Sequence, residues 1–280
     1  MGSVLVVGCA SFDTLHINRN GNRESFNTIG GAGLYTALAA AKQGANTYLF
    51  APKPDPFPEV FEEFAKLVTW VGPVVPLDQM PKLEIEHHGG GRATLLGAAW
   101  GAESQMVPHD LPHFGHMEFD VIHIAALSSA EKQCQFAQTF GDEQSKSLIS
   151  AGTYAQAIKN NSAAVCRLLD SVDLFFMNEN ESRLIYDDET IRVTKPGRML
   201  FITSGAAGAT SYTRDGEIYV PAIVAQELDP TGAGDTFCGA MLAGLTAGLN
   251  LESALKAAAY LAGKVVETPG PASLMEPHRS

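Results

Sequence analysis

Basic residues are scarce in this chain. Lysine and arginine number 19 against 31 aspartates and glutamates, a formal charge of −12, and a surface of that sign repels phosphate polymers and anionic lipid alike. Nucleic acid and membranes are therefore not expected partners. Long apolar runs are missing as well. No stretch approaches the ~18 residues of a membrane span, and the opening MGSVLVVGCASFD carries no basic segment ahead of its short apolar run, so neither a leader nor a span is expected. Cysteines are few: Cys9, Cys134, Cys166 and Cys238 are scattered with no C-x-x-C, which reads as buried thiols in a reducing compartment and points to the cytoplasm. Neither G-x-x-x-x-G-K-[ST] nor G-x-G-x-x-G occurs, so a P-loop and a dinucleotide fingerprint are both without support.

What is present is an ordinary globular composition, 45% hydrophobic and 18% charged over 280 residues. Val4 to Gly8 is a continuous β-branched run, the pattern of a strand buried on both faces of a parallel sheet. Strand-like and helix-like segments then alternate to the end of the chain, which predicts an α/β fold with a doubly wound, mostly parallel sheet. Two segments break the rhythm. Thr14 to Thr28, around Asn20-Gly21, and Lys82 to Gly97, around Gly89-Gly90-Gly91, alternate apolar and polar residues as half-exposed hairpins do. They are expected to leave the main sheet and build a small β lid. The proline-rich APKPDPFPEV is expected to be an irregular loop.

The most informative segment is Asp229-Pro230-Thr231-Gly232-Ala233-Gly234-Asp235-Thr236-Phe237, a glycine-rich turn running into a helix. Small residues let several N–H groups face one concavity, and the helix N-terminus adds its positive dipole end, so the segment suits a transferring phosphoryl group. Asp235 in the first helical turn is placed to accept a proton from a hydroxyl beside that phosphate. A plain tight turn with a dipole-favouring aspartate fits the same residues.

The signature D-x-T-G-A-G-D-T-F resembles that of the ribokinase-like (PfkB) carbohydrate kinases. Gly30-Gly31 before an alanine-rich helix resembles the family's first signature, and Asn178-Glu179-Asn180-Glu181 after a core strand is similar to its N-x-x-E motif. Ser11-Phe12-Asp13 and Ile202-Thr203-Ser204-Gly205-Ala206-Ala207-Gly208 match as well, so the resemblance covers nearly the whole chain. It implies one ribokinase-like domain over 1–280 with a lid from about 13–28 and 82–97. It implies ATP-dependent phosphorylation of a hydroxyl on a small sugar or polyol. The alternatives are a nucleoside or inositol kinase of the same family, or a catalytically silent relative that binds a ligand.

Residue by residue, the resemblance makes Asp235 the catalytic base and Gly232, Ala233 and Gly234 the amides that receive charge. Asp13, Gly30 and Gly31 would contact the acceptor. Asn178 and Glu181 would hold magnesium and phosphates, mostly through water, although Asn178 at N-cap with Glu181 three residues on also fits a capping box. Thr203, Gly205 and Gly208 would line the nucleotide tail. In relatives that use potassium, the first aspartate and nearby carbonyls cage the ion, which makes Asp229, Thr231 and the Thr268 to Ser273 loop candidates for a K⁺ site. The ribokinase pattern G-G-K-G-A-N becomes Gly30-Gly31-Ala32-Gly33-Leu34-Tyr35, so ribokinase's own acceptor pocket is not expected. Arg92 on the second hairpin is expected in solvent. His109, His113 and His116 with Asp110 are read as a solvated loop rather than a metal site, and His87 and His88 as pointing to opposite faces of a strand. Exposed lid edges would allow a homodimer through the lid.

Overall fold

The computed structural model of the chain describes residues 2–19, 22–112, 118–142, 146–186 and 195–276. It opens with β1 (Ser3–Val7), the hairpin β2 (Ser11–Arg19) and β3 (Asn22–Gly30), then α1 (Ala32–Lys42), β4 (Asn46–Phe50), β5 (Lys53–Asp55), α2 (Glu62–Leu67), β6 (Thr69–Val71) and β7 (Val74–Pro76). A second hairpin follows, β8 (Lys82–Gly89) and β9 (Arg92–Ala99), and then β10 (Val121–Ile124), α3 (Ala130–Asp142), β11 (Leu148–Gly152), α4 (Ala155–Ser171), β12 (Leu174–Asn178) and α5 (Glu179–Tyr186). The chain closes with β13 (Met199–Thr203), β14 (Ala209–Thr213), β15 (Gly216–Val220), α6 (Ala233–Thr246), α7 (Leu251–Val265) and α8 (Ala272–Met275).

Nine strands form the main sheet in the order β15-β14-β13-β12-β11-β10-β1-β4-β6. Every pairing is parallel except those of β13 with β14 and β14 with β15. The chain winds outward from β1 through β4 to β6, then returns to β10 and winds the other way. The sheet is thus doubly wound, and its order reverses between β1 and β10. In such sheets the crevice for ligands lies outside the carboxyl ends of the strands at that switch point. Apolar layers cover both faces. Leu34, Leu38, Phe237 and Leu255 pack on one and Phe136, Ile158, Leu168 and Met177 on the other. Val4 to Val7 of β1 are fully buried between them, which is why that strand needed an unbroken apolar run. On the first face α1 lies against α6 so closely that a Cβ on Gly239 would stand 2.0 Å from the Thr36 carbonyl. The N-termini of both helices therefore open on the same side of the sheet.

Both hairpins leave the main sheet, and they join into one four-stranded sheet in the order β3-β2-β8-β9. Each hairpin is antiparallel, and β2 pairs with β8 in parallel between them. The lid strands run from Ser11 to Gly30 and from Lys82 to Ala99, somewhat beyond the ranges expected from alternation. Asn20-Gly21 lies outside the described residues.

Two local expectations need correction, and one helix is irregular. The proline-rich segment is not wholly irregular, because β5 pairs in parallel with β7 as a two-stranded ribbon; proline is tolerated on an edge strand, where its missing N–H breaks no ladder. Helix α4 is kinked, with Asn161 at φ −155° and ψ 79°. Its side-chain oxygen instead accepts from Ala164 N at 3.0 Å, a cap in the middle of the element. The Thr268 to Ser273 segment is not all loop, since α8 begins at Ala272.

Candidate active site

Gly232 and Asp235 sit at the amino end of α6. Gly232 caps that helix in the left-handed region, φ 73°, with its Cα against the ring of buried Tyr35, which leaves no room for a side chain. The Pro230 carbonyl accepts from Ala233 N at 3.3 Å and the Gly232 carbonyl from Thr236 N at 2.7 Å. One of the three amides assigned to the phosphate is thus turned on its own chain. Gly232 and Gly234 line a cleft of about 310 Å³ at the switch point, together with Asp235, Thr231, Asp13, Gly31, Asn178, Glu181 and Thr203. Ala233, Gly30, Gly205, Gly208 and Asp229 lie outside its lining.

Asp13 is the third residue of β2, soon after the end of β1, and is 2% exposed. Its Oδ1 accepts from Ser11 Oγ at 2.6 Å, whereas Oδ2 is buried without a partner. That oxygen lies over Gly30, where a Cβ would be 2.0 Å from it, so the first signature's glycine makes room for the carboxylate. Asn178 and Glu181 form the capping box foreseen as the plainer reading. Asn178 N donates to Glu181 Oε2 at 2.8 Å, Asn178 Nδ2 to Oε1 at 2.7 Å, and Glu181 N to Asn178 Oδ1 at 3.0 Å. Both residues still face the cleft, because Asn178 ends β12 in register with Thr203 at the end of β13. Gly205 begins a single 3₁₀ turn with open space above its Cα, and Gly208 backs onto the Val220 carbonyl.

Electrostatically the cleft is acidic. Burial raises the Asp235 carboxyl to about 6, against the pull of its own backbone N–H. Burial also raises Glu181 to about 7, with the Asp235 charge adding to the effect. Asp13 rises to about 7 through burial, resisted by the Ser11 hydroxyl and assisted by Asp229. No lysine or arginine is among the lining residues. His123 lines the cleft too, but burial lowers its pKa to about 3 and Ser150 Oγ lies 2.9 Å from its Nδ1, so it is a neutral wall. A divalent cation fits this donor set. Glu181 keeps unused lone pairs, and a buried carboxylate whose ionised form is disfavoured by the Asp235 charge beside it is what a hard cation relieves.

A potassium cage fits poorly. Asp229, 1% exposed, already accepts from Thr231 N at 2.9 Å on Oδ1 and from Gly270 N at 2.7 Å on Oδ2. His87 Nε2 stands 3.0 Å from the same Oδ1 and 3.0 Å from Thr231 Oγ1. Three N–H donors thus occupy this carboxylate, two on Oδ1 and one on Oδ2, although Thr268 Oγ1 and Ser273 Oγ of the neighbouring segment are buried without partners. His87 reaches them from β8 and is 2% exposed, while His88 faces solvent. Among the described residues there is no cluster of metal ligands; His109 is exposed, His113 and His116 lie outside the described residues, and so does the Arg92 side chain.

Sequence reasoning passed over three features here. His87 was seen as half of an adjacent pair with no role. Tyr35 was seen as a departure from a pattern, yet its ring forms the floor under Gly232 and its hydroxyl is buried without a partner. The apolar side of the cleft, Leu83, Ile85 and Leu95 from the lid with Trp100 and Tyr154, left a signal in the alternation of β8, but which face of the hairpin meets the site is decided by the lid's docking.

Doubly wound sheet, detached lid and glycine turn define a ribokinase-like fold. The chain belongs to the pfkB family of carbohydrate kinases, whose profile matches residues 3–279. It is 27% identical over 179 residues to a nucleoside kinase of Methanocaldococcus jannaschii, a match covering 61% of this chain and 56% of that protein. It is 24% identical over 284 residues to a cytidine kinase of Thermococcus kodakarensis, covering 96% and 98% of the two chains. Among solved structures, a probable sugar kinase from Rhizobium etli superposes with TM-score 0.81 at 18% identity, over 96% of this chain and 94% of that one. A Burkholderia thailandensis nucleoside kinase in complex with inosine superposes with TM-score 0.79 at 20% identity, over 98% and 94%.

Proposed function

We propose that this protein transfers the γ-phosphoryl group of ATP to a sugar hydroxyl of a small acceptor, with Asp235 as general base. The observation that carries this is the meeting of four groups in one cleft: the Asp235 carboxylate, the Gly232 and Gly234 turn, the Asn178–Glu181 pair and the buried Asp13. The roles follow from their chemistry. Asp13 Oδ2 and the Tyr35 hydroxyl, both buried and unpartnered, accept from and donate to one acceptor hydroxyl. Asp235 takes the proton of the attacked hydroxyl, and the Gly232 and Gly234 turn at the start of α6 faces the phosphoryl group as it leaves ADP. Asn178 and Glu181 would hold magnesium through water, which supplies charge neutralisation along the phosphates. Thr203, with the Gly205 to Gly208 turn beyond it, extends the site toward the nucleotide tail. The lid closes over the reacting atoms and excludes water as a rival acceptor.

The apolar wall refines the acceptor. A free polyol needs a polar partner for each hydroxyl, whereas Leu83, Ile85 and Leu95 of the lid offer none, and Trp100 and Tyr154 add only one indole N–H and one phenol. A sugar bearing a flat apolar group, as in a nucleoside, fits better. The nucleoside kinase solved with inosine supports this reading. The test is a thermal-shift and turnover panel of nucleosides, ribose, fructose and inositol with Mg·ATP; a ligand at 100 times its Kd adds about 2.7 kcal/mol of stability. Nucleosides are expected to shift the transition and to be phosphorylated. A panel in which only free sugars respond defeats the nucleoside assignment, and no response at all defeats the kinase reading.

The reading extends to a lid-mediated dimer, because the lid sheet ends in the edge strands β3 and β9, and unpaired edges template association. Sedimentation at high concentration is expected to show a dimer, and a strict monomer removes it. A cytoplasmic setting accords with the four free cysteines, and no helix among the described residues is long and apolar enough to cross a membrane.

A further inference from the structure

Strand β8 does two things at once. Its residues 83, 85 and 87 alternate onto one face, where Leu83 and Ile85 wall the acceptor side of the cleft and His87 reaches the turn that precedes α6. Asp229 is held below the usual carboxylate range, since the His87, Gly270 and Thr231 donors outweigh the effect of burial. It is ionised at neutral pH and can only accept, so the proton of its contact with His87 sits on Nε2. That Nε2–H lies 3.0 Å from Asp229 Oδ1 and 3.0 Å from Thr231 Oγ1. The lid is fastened to the same segment once more, and once to the segment after α7 that contacts Asp229. Gly91 N, at the turn after β8, donates to both carboxylate oxygens of Glu227 at 2.9 Å. Thr28 of β3 packs over Gly270, where a Cβ would be 2.2 Å from its hydroxyl, and Gly270 N is the donor to Asp229 Oδ2.

The geometry points to His87 as a positioning residue that fixes Asp229 and Thr231 from the lid, taking an acceptor site of Asp229 that a caged cation would need, so that this enzyme sets its phosphate-binding turn by lid closure and needs no monovalent ion. The inference rests on the kinase reading. Thr231 directly precedes Gly232, whose left-handed conformation starts α6, so whatever fixes Thr231 fixes the turn. An acceptor pressed against Leu83 and Ile85 holds β8 down and with it His87. The turn is then ordered when the acceptor is present, and water meets a less ordered turn when it is not. A donor N–H on the Asp229 carboxylate does this by direction, where a cation would do it by charge.

The test compares the parent with His87→Ala and His87→Gln, using the acceptor that emerges from the panel above. The glutamine amide keeps a donor near the Nε2 position without the ring. In sodium, potassium and choline chloride at equal ionic strength, parent turnover is expected to agree within about twofold; loss of a hydrogen bond to a buried charge should lower the kcat of His87→Ala by about tenfold or more, with acceptor KM changed by less than about threefold. His87→Gln should recover to within about threefold of the parent. Parent turnover that requires potassium overturns the proposal, as does His87→Ala with the parent's kcat. A glutamine variant as slow as the alanine variant also overturns it, because the loss then belongs to packing of the ring. If His87→Ala does not fold, the cation comparison on the parent and the glutamine variant decide. A parent inactive on every acceptor sinks the kinase reading itself, whereas an active parent with an indifferent His87→Ala sinks this inference alone.

Discussion

Asp235→Asn is expected to abolish nearly all turnover while leaving nucleotide binding in place. The amide keeps the size of the carboxylate and its place in the first turn of α6 but cannot accept a hydroxyl proton at neutral pH. Loss of a positioned general base costs typically ~10²–10⁴ in rate. In the proposed roles nucleotide affinity would rest on other groups, the Asn178–Glu181 pair and the end of β13, so the ADP dissociation constant should move by no more than about threefold. The same carboxyl fixes the pH dependence. Raised to about 6 by burial, it is mostly ionised at pH 7 and becomes protonated below 6, so kcat/KM falls as pH drops through that range. Asp13, raised to about 7, protonates in the same direction and steepens the acid limb. Turnover of the asparagine variant within about threefold of the parent would falsify the assignment of Asp235 as base and with it the mechanism.

The contrast between what was and was not legible in the sequence has a physical pattern. Val4 to Val7, the two hairpins and the glycine turn before α6 were visible because each is governed by local rules: a β-branched run for a buried strand, alternation for a half-buried one, small residues before a helix. Asp13, Asn178 and Asp235 were legible through motif order, and the topology brings them to the switch point as doubly wound sheets do. His87 was not legible. Its partner Asp229 is 142 positions away in the chain, and nothing in HHGGGR distinguishes a buried histidine from a solvated one until β2 pairs with β8 and the lid docks. The ribbon of β5 with β7 was hidden for a related reason, since proline argues locally against strand and the pairing that tolerates it is formed with residues beyond α2. Tyr35 stood out only as a mismatch; that its ring is the floor of the glycine turn depends on α1 packing against α6.

That floor makes the two glycines of the turn separable, and their alanine variants should fail in opposite ways. Gly232 has φ +73°, and a Cβ there would lie 2.4 to 2.5 Å from three ring atoms of Tyr35, which is itself 1% exposed and fixed between helices. A non-glycine residue in a left-handed conformation costs about 1–3 kcal/mol, and forcing the ring aside costs about as much again. For a chain of this size Gly232→Ala should therefore lower Tm by roughly 5 to 20 °C. Gly234 has nothing within 4 Å of its Cβ position and no positive φ, and glycine inside a helix is less stable than alanine by about 0.5–1 kcal/mol. Gly234→Ala should melt at or slightly above the parent. Yet Gly234 lines the cleft, so if this turn receives the phosphoryl group as proposed, the added methyl projects where that group would sit, and misplacing such a donor costs about 10²-fold in kcat. Differential scanning calorimetry beside initial rates reads both effects. A Gly234→Ala protein that is stable and as fast as the parent removes this turn from the reaction, and a Gly232→Ala protein that melts with the parent means that Tyr35 is free to move and does not form its floor.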